Sequence, residues 1–255
     1  MRVFAVSDLH VNYESNARWV EALSGQDYTD DILILAGDLS DSLGQIETYL
    51  NILVRRFNKV LYVPGNHEMW IIRNPELEDS IAKFAEVCRV ARSSGASTEC
   101  LCTDEVTIVP LLGWYDYSFG VPCDELRNAW MDFRACRWPA HMNERQVTQF
   151  FAGMNEPLPR SQSTVVISFS HFLPRIDLIA GYVPQRFWYL HPVMGSDILE
   201  RQIRRLGASI HVYGHSHVNR HVSIDGVAYV NNAFGYPSEI GTTAKRLRCI
   251  FDANR

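Results

Sequence analysis

The feature that most limits how this chain can fold is where its apolar runs stop. Val3-Phe4-Ala5-Val6 is followed by Ser7-Asp8-Leu9-His10, and Ile32-Leu33-Ile34-Leu35-Ala36 by Gly37-Asp38-Leu39-Ser40-Asp41. Val60-Leu61-Tyr62-Val63 runs into Pro64-Gly65-Asn66-His67-Glu68, and Val165-Val166-Ile167 into Ser168-Phe169-Ser170-His171. Ile210-His211-Val212-Tyr213 runs into Gly214-His215-Ser216-His217. Short β-branched runs without strict polar alternation are the pattern of strands buried on both faces. Each run predicts a strand that ends in a turn bearing ligand-type side chains.

Helical spacing fills the gaps between the first three strands: Trp19, Val20 and Leu23 mark one apolar stripe, and Ile46, Tyr49, Leu50 and Leu53 the next. His10, Asp38 and Asn66 are evenly spaced at close to the ~30 residues of a βαβ unit. Right-handed parallel crossovers then place all three turns at one edge of a sheet, where open α/β sheets bind ligands. From about 69 to 164 the repeat is lost. A helix is predicted through Leu77, Ile81, Phe84, Ala85 and Cys88, then a strand from Val106 to Leu112, then an aromatic stretch with Trp114, Tyr115, Tyr117, Phe119, Trp130, Phe133 and Trp138. This segment is expected to be an insertion packed on the sheet, partly capping the site, within a single domain of residues 1–255. A second aromatic stretch, Tyr182 to His191, precedes a helix capped by Ser196 and stopped at Gly207. Asp225-Gly226 between two apolar runs predicts a hairpin.

Composition narrows the function classes. With 24 Lys+Arg against 29 Asp+Glu the net charge is −5, which argues against a non-specific nucleic-acid or anionic-membrane binder. No run approaches the ~20 apolar residues of a membrane helix. No secretory leader fits before Ser7-Asp8, and the six cysteines show no paired spacing beyond one Cys-x-Cys, so reduced thiols in a cytoplasmic protein are expected.

Asp8, His10, Asp38, Asn66, His171, His215 and His217 together suit a pair of transition metal ions. Imidazole with carboxylate suits Mn, Fe, Zn or Co, and the absence of cysteine from the set argues against a structural zinc or iron–sulfur site. Asp-x-His or Gly-Asp after a strand is by itself an ordinary turn. What decides is that five such pieces occur in order, each at a strand end, at spacings a βαβ sheet brings together.

Asp8-x-His10, Gly37-Asp38-x-x-Asp41, Gly65-Asn66-His67-Glu68, His171 and Gly214-His215-x-His217 resemble the five signature motifs of the calcineurin-like metallophosphoesterase superfamily. The resemblance implies an α/β fold, a four-layer α/β/β/α sandwich with a dimetal site at the carboxyl ends of the strands. It implies a phosphoesterase that hydrolyses a small-molecule monoester or diester by in-line attack of a metal-bridging hydroxide. By the same resemblance Asp8, His10, Asp38 and His217 hold one metal, and Asp38, Asn66, His171 and His215 the other, with Asp38 as bridge. His67 matches the histidine that contacts phosphate and protonates the leaving oxygen, and Asp41 the acid that orients it. Glu68 fits a structural or a catalytic hydrogen bond equally.

Serine/threonine protein phosphatases of the superfamily continue Gly-Asp-x-x-Asp with Arg-Gly, whereas Ser42-Leu43 follows Asp41 here. The superfamily's exonucleases usually carry extra DNA-binding and coiled-coil segments, for which this chain shows neither a basic stripe nor spare length. A small phosphorylated substrate is therefore expected, with Arg175 and Arg220 as candidate phosphate contacts, and neither nucleic acid nor membrane as partner. His141, His191, His211 and His221 are expected to be structural. Two other readings stay open: a weakly catalytic binding or scaffold protein on this fold, and a hydrolase of a non-phosphate bond using the same dimetal centre.

Overall fold

The computed structural model describes residues 1–159 and 163–254. In chain order its elements are β1 (Arg2–Val6), α1 (Glu14–Glu21), β2 (Ile32–Ala36), α2 (Leu43–Val54), β3 (Lys59–Val63), α3 (Ser80–Ser93), β4 (Leu101–Cys102) and β5 (Val106–Pro110). They continue with α4 (Asp124–Ala129), α5 (Asp132–Ala135), α6 (Glu144–Met154), β6 (Val165–Phe169), α7 (Asp197–Leu206), β7 (Ile210–Tyr213), β8 (Arg220–Ile224), β9 (Val227–Asn231) and β10 (Arg248–Asp252). Single 3-10 segments span His67–Met69, Ile176–Leu178 and Gln185–Val193.

The strands form two sheets, one ordered β10-β1-β2-β3 and the other β4-β5-β6-β7-β9-β8. In the first, β1, β2 and β3 are parallel and β10 runs antiparallel at the edge. In the second, β5, β6, β7 and β9 are parallel, flanked by antiparallel β4 and β8. The period-two direction of strand side chains explains the unalternating runs. Val3, Ala5, Ile32, Ile34 and Leu61 meet Val106, Ile108, Ile167, Phe169 and Val212 between the sheets. Phe4, Leu33, Leu35 and Tyr62, on the opposite face of the first sheet, pack on Val20, Ile46, Leu50 and Val87 of the first three helices. Val109, Tyr213 and Tyr229, on the outer face of the second, pack with Phe151 of α6, Leu199 and Ile203 of α7 and the aromatic Trp114. Both faces of the central strands of each sheet are buried, giving the expected four layers.

Local signals act where the sequence places them. Ser196 Oγ caps α7 by accepting from the Ile198 amide, and Gly207 ends it in the left-handed region. Asp225 and Gly226 both take positive φ in the β8–β9 hairpin, as a type I′ turn requires.

The segment 69–164 is only partly an insertion. α3 covers the outer face of the first sheet, and β5 pairs in parallel with β6 along its whole length, so both belong to the framework. The stretch from Gly113 to about Met142 carries the short helices α4 and α5 and brings Trp130 against His215 and Asp132 against Asn66.

Candidate metal centre

Seven non-glycine residues among those described have positive φ, and five of them are Asp8 (55°), His10 (42°), Asp38 (55°), His215 (69°) and His217 (50°). Backbone of this kind is costly for residues with a Cβ and concentrates where a site must be shaped. The turns also pack very close together. A Cβ at Gly37 would enter the His171 ring, and one at Gly65 would strike the Asp38 carboxylate, so each must be glycine. Glu68 clamps two of these turns. Its carboxylate accepts the amides of Asp38 (3.1 Å), Leu39 (2.6 Å) and Ser40 (3.3 Å) after β2, and that of Gly65 (2.7 Å) after β3. The open choice for Glu68 thus resolves toward a structural hydrogen bond.

Two groups of ligand-type atoms result, Asp8, His10, Asp38 and His217 in one and Asp38, His171 and His215 in the other, with the atoms of each group within 4.8 Å of one another. The Nε2 atoms of His10 and His217 face each other at 3.1 Å, and His217 Nε2 is 3.2 Å from Asp8 Oδ1. In the second group His171 Nε2 lies 3.1 Å from both His215 Nδ1 and Asn66 Oδ1. Asn66 therefore joins this group through its amide oxygen.

In three of the four histidines of these groups the outward nitrogen is tied to an oxygen, whereas His10 Nδ1 is buried without a hydrogen-bond partner. His171 Nδ1 lies 3.0 Å from the Ala36 carbonyl, His215 Nε2 3.0 Å from the Val193 carbonyl and His217 Nδ1 2.6 Å from Glu239 Oε2. A neutral imidazole that donates from one nitrogen to an oxygen presents a lone pair at the other, the usual arrangement of a metal-binding histidine, and His217 reaches that form once a cation displaces its second proton.

Electrostatics point the same way. Burial opposes charge on His217, but Asp8 and Glu239 outweigh it and hold the imidazolium up to about 10. Burial likewise opposes charge on Asp8, and His217 outweighs it, drawing that carboxyl below its usual range. Burial, then Glu68 and Asp8, push the Asp38 carboxyl well above its ordinary value. Burial is also the main reason that His10 and His215 sit well below theirs. Buried carboxylates and imidazoles thus meet here with conflicting charge preferences, a conflict that cations resolve. The donor set fits a pair of transition metal ions.

His67 lies beside the first group, its Nε2 3.7 Å from Asp38 Oδ2, and its ring stacks on Trp70 with centroids 3.8 Å apart. Burial, then His171 and His217, press its imidazolium down to about 3. Asp41 does not orient it. The Asp41 carboxylate takes a 2.7 Å bond from Arg73 Nε, its other oxygen has no hydrogen-bond partner, and Trp70 holds the His67 ring instead. The two arginines are also engaged elsewhere. Arg175 pairs with Asp177, Glu200 and Asp225, and Arg220 donates to the carbonyls of Asp177 and Ile179. His211 is fully buried between Ser168 and Ser170 hydroxyls, a structural role as expected.

Several residues at the site carry no motif. Tyr236 places its ring 4.6 Å from His10 and 4.8 Å from His217. Trp130 meets His215 edge-on at 5.6 Å. Asp132 is buried and accepts from Asn66, Trp70 and Trp130. The Trp130-Met131-Asp132-Phe133 run, an acid inside an aromatic stretch, is the one sequence signal that could have marked Asp132.

A two-sheet α/β sandwich whose strand-end turns gather two His/carboxylate groups around one shared aspartate is the framework of a dinuclear metallohydrolase. The chain belongs to the calcineurin-like phosphoesterase family, whose model matches residues 1–219. It is a metal-dependent phosphoesterase. It is similar to the acyl-carrier-protein phosphodiesterase PptH of Mycobacterium tuberculosis, 28% identical over 274 residues that cover 93% of this chain and 78% of the relative. The crystal structure of the phosphopantetheinyl hydrolase PptH from Mycobacterium tuberculosis matches with a TM-score of 0.79 at 25% identity, covering 100% of this chain and 97% of that one. The protein TT1561 of Thermus thermophilus shares the fold, with a TM-score of 0.52 at 14% identity over 91% of this chain and 89% of its own. No helix among the described residues is long and apolar enough to cross a membrane.

Proposed function

We propose that Asp8, His10, Asp38 and His217 hold one metal ion and that Asp38, Asn66, His171 and His215 hold the other. The observation that carries this reading is the split of the Asp38 carboxylate, whose Oδ2 faces His10 Nε2 at 3.9 Å and whose Oδ1 faces His171 Nε2 at 3.5 Å. Bound there, the ions supply Lewis acidity to the phosphoryl group and hydroxide near neutral pH. His67 delivers a proton to the leaving oxygen. Its depressed basicity in the bare protein is countered once an anionic phosphate lies between the ring and its cationic neighbours. Arg175 and Arg220 have no part in this reading, because their guanidinium groups are committed to the framework.

The substrate we infer is a phosphodiester joining a phosphopantetheine-like arm to a carrier protein. The names given to PptH, the similar protein, support it, and so does a cavity of about 180 Å³ beside His67, walled by Trp70, Trp130, Met131, Asp132 and Tyr236. Both indole N–H groups on that wall are spent on Asp132, so the cavity offers apolar and aromatic surface to an uncharged chain. The partner is then a carrier protein rather than a free small phosphate, with nucleic acid disfavoured by the net charge of −5. Residues 1–255 act as one domain in the cytoplasm, with Gly113 to Met142 as the cap. Six free cysteines support a reducing compartment.

The test incubates Mn-loaded protein with a holo-acyl carrier protein and follows its intact mass. Conversion to the apo form, abolished by Asp38→Ala, is expected. Turnover of bis-p-nitrophenyl phosphate with an unchanged carrier protein would overturn the substrate while leaving the chemistry in place.

A further inference from the structure

The Asp132 carboxylate opens α5, outside every motif, yet it is buried within hydrogen-bonding reach of the site. Its Oδ1 accepts from Asn66 Nδ2 at 2.9 Å and from Trp70 Nε1 at 2.7 Å, and its Oδ2 accepts from Trp130 Nε1 at 2.8 Å. These donors are neutral, as is the Tyr115 hydroxyl that also reaches the carboxylate. No arginine or lysine among the described residues pairs with it, so its acceptor capacity is turned toward neutral groups around the site.

Each of the three N–H donors passes that on to something different. The amide of Asn66 has one donating and one accepting end, and only the oxygen is useful to a cation. A carboxylate that can only accept holds the nitrogen outward and so presents Oδ1 inward, 3.1 Å from His171 Nε2. Trp70 is the ring on which His67 stacks, and Trp130 stands edge-on to His215. We propose that Asp132 is a positioning residue that, through one carboxylate of the cap, sets the amide of Asn66 for the second metal and locks the two indoles that frame His67 and His215. The inference rests on the dimetal reading above and extends it to a residue that no motif assigns.

Two substitutions separate positioning from simple packing. In Asp132→Asn one acceptor survives. The two N–H groups that share Oδ1 hold the new amide oxygen on their side, and Trp130 loses its partner. In Asp132→Ala every donor is released. Calorimetric titration of metal-stripped protein with Mn²⁺ alone, alongside tryptophan emission, reads both. For Asp132→Ala the second site is expected to weaken about 10- to 100-fold, the usual effect of losing an outer partner of a ligand, with the first site unchanged. For Asp132→Asn the second site should return to within a few-fold of wild type while the emission spectrum shifts.

A second site of wild-type affinity in the alanine variant would overturn the proposal, as would equal weakening of the second site in both variants. Should the alanine variant not fold, Asp132→Ser takes its place with the same expectation and the same overturning result. A wild-type protein that takes up fewer than two Mn²⁺ per chain would break the dimetal reading itself. Two Mn²⁺ in the wild type with no response in the variants breaks the Asp132 inference alone.

Discussion

Asp8, Asp38 and His215 lie on turns that leave a buried strand within one or two residues, and their backbones are held by other turns of the same kind. Asp132, Trp130, Tyr236 and Glu239 reach the same site from chain outside the core strands, and each acts on a site residue rather than lining up in the ligand groups. The first set shares one frame, the parallel strand edge, in which the Asp8 amide bonds the Gly37 carbonyl and the His10 amide the Asp38 carbonyl. The second set depends on long-range docking of the cap and of the chain after β9. On the reading proposed above, the difference separates duties: the strand edge holds the chemistry, while the outlying chain tunes it and chooses what enters.

The sharpest way to break that division is Asp38→Ala. Asp38 faces both groups, so its loss should remove metal from both positions and lower phosphodiester hydrolysis by at least about 10⁴-fold, as removal of a central catalytic group does. Metal analysis beside kcat checks it. A variant that keeps two ions and its activity would show that the strand edge is not where the chemistry sits.

His67→Ala comes next. The ligands remain, so two ions should still bind, while kcat falls by about 10³-fold for an alkyl leaving group and much less for p-nitrophenolate, which needs no proton. Equal losses on the two substrates would remove the proton-donor role.

Trp130→Ala tests the other half of the division. It opens the cavity wall while leaving every candidate ligand in place. Its expected effect is a drop of about 10- to 100-fold in kcat/KM for the carrier-protein diester, the range a shaped apolar pocket discriminates, with bis-p-nitrophenyl phosphate changed far less. A uniform loss on both substrates would assign Trp130 to the catalytic frame instead of the cap.

This division also explains what could be read in advance. The core strands, the first two helices, the α7 caps and the β8–β9 hairpin all follow from neighbours a few residues apart, so periodicity and turn chemistry reveal them. The candidate ligand set is legible because each member lies two to four residues past the end of a strand. β10 is not, because Arg248–Asp252 is an edge strand with no fully buried residue and so has no apolar run to announce it. Nor was it legible that β5 belongs to the framework, since its partner β6 lies beyond the entire cap. Asp41 shows the same limit in the opposite direction. Its motif spacing suggests a tie to His67, but Arg73 takes the carboxylate and Lys83 Nζ bonds the Asp41 carbonyl at 3.0 Å. Asp132 meets Asn66 and Trp70 across 66 and 62 residues of chain, and no local pattern encodes a contact of that span.

The smallest expected effect falls on the seam between the two halves. Ser196 Oγ accepts from the Ile198 amide at the start of α7 and donates to Asp116 Oδ2 at 2.9 Å, joining a framework helix to the aromatic stretch. The Val193 carbonyl that orients His215 lies three residues earlier. Ser196→Ala removes the helix cap, at a cost of about 1 kcal/mol, and frees one oxygen of a carboxylate that also accepts from the Ser118 amide. In a domain of this size that corresponds to a fall in Tm of roughly 2–4 °C, measurable by calorimetry. If α7 is framework alone, the melting temperature should move while the preference between carrier-protein diester and bis-p-nitrophenyl phosphate stays put. A changed preference at unchanged Tm would carry the boundary of the cap past Ser196 and make the helix terminus part of the substrate's surroundings.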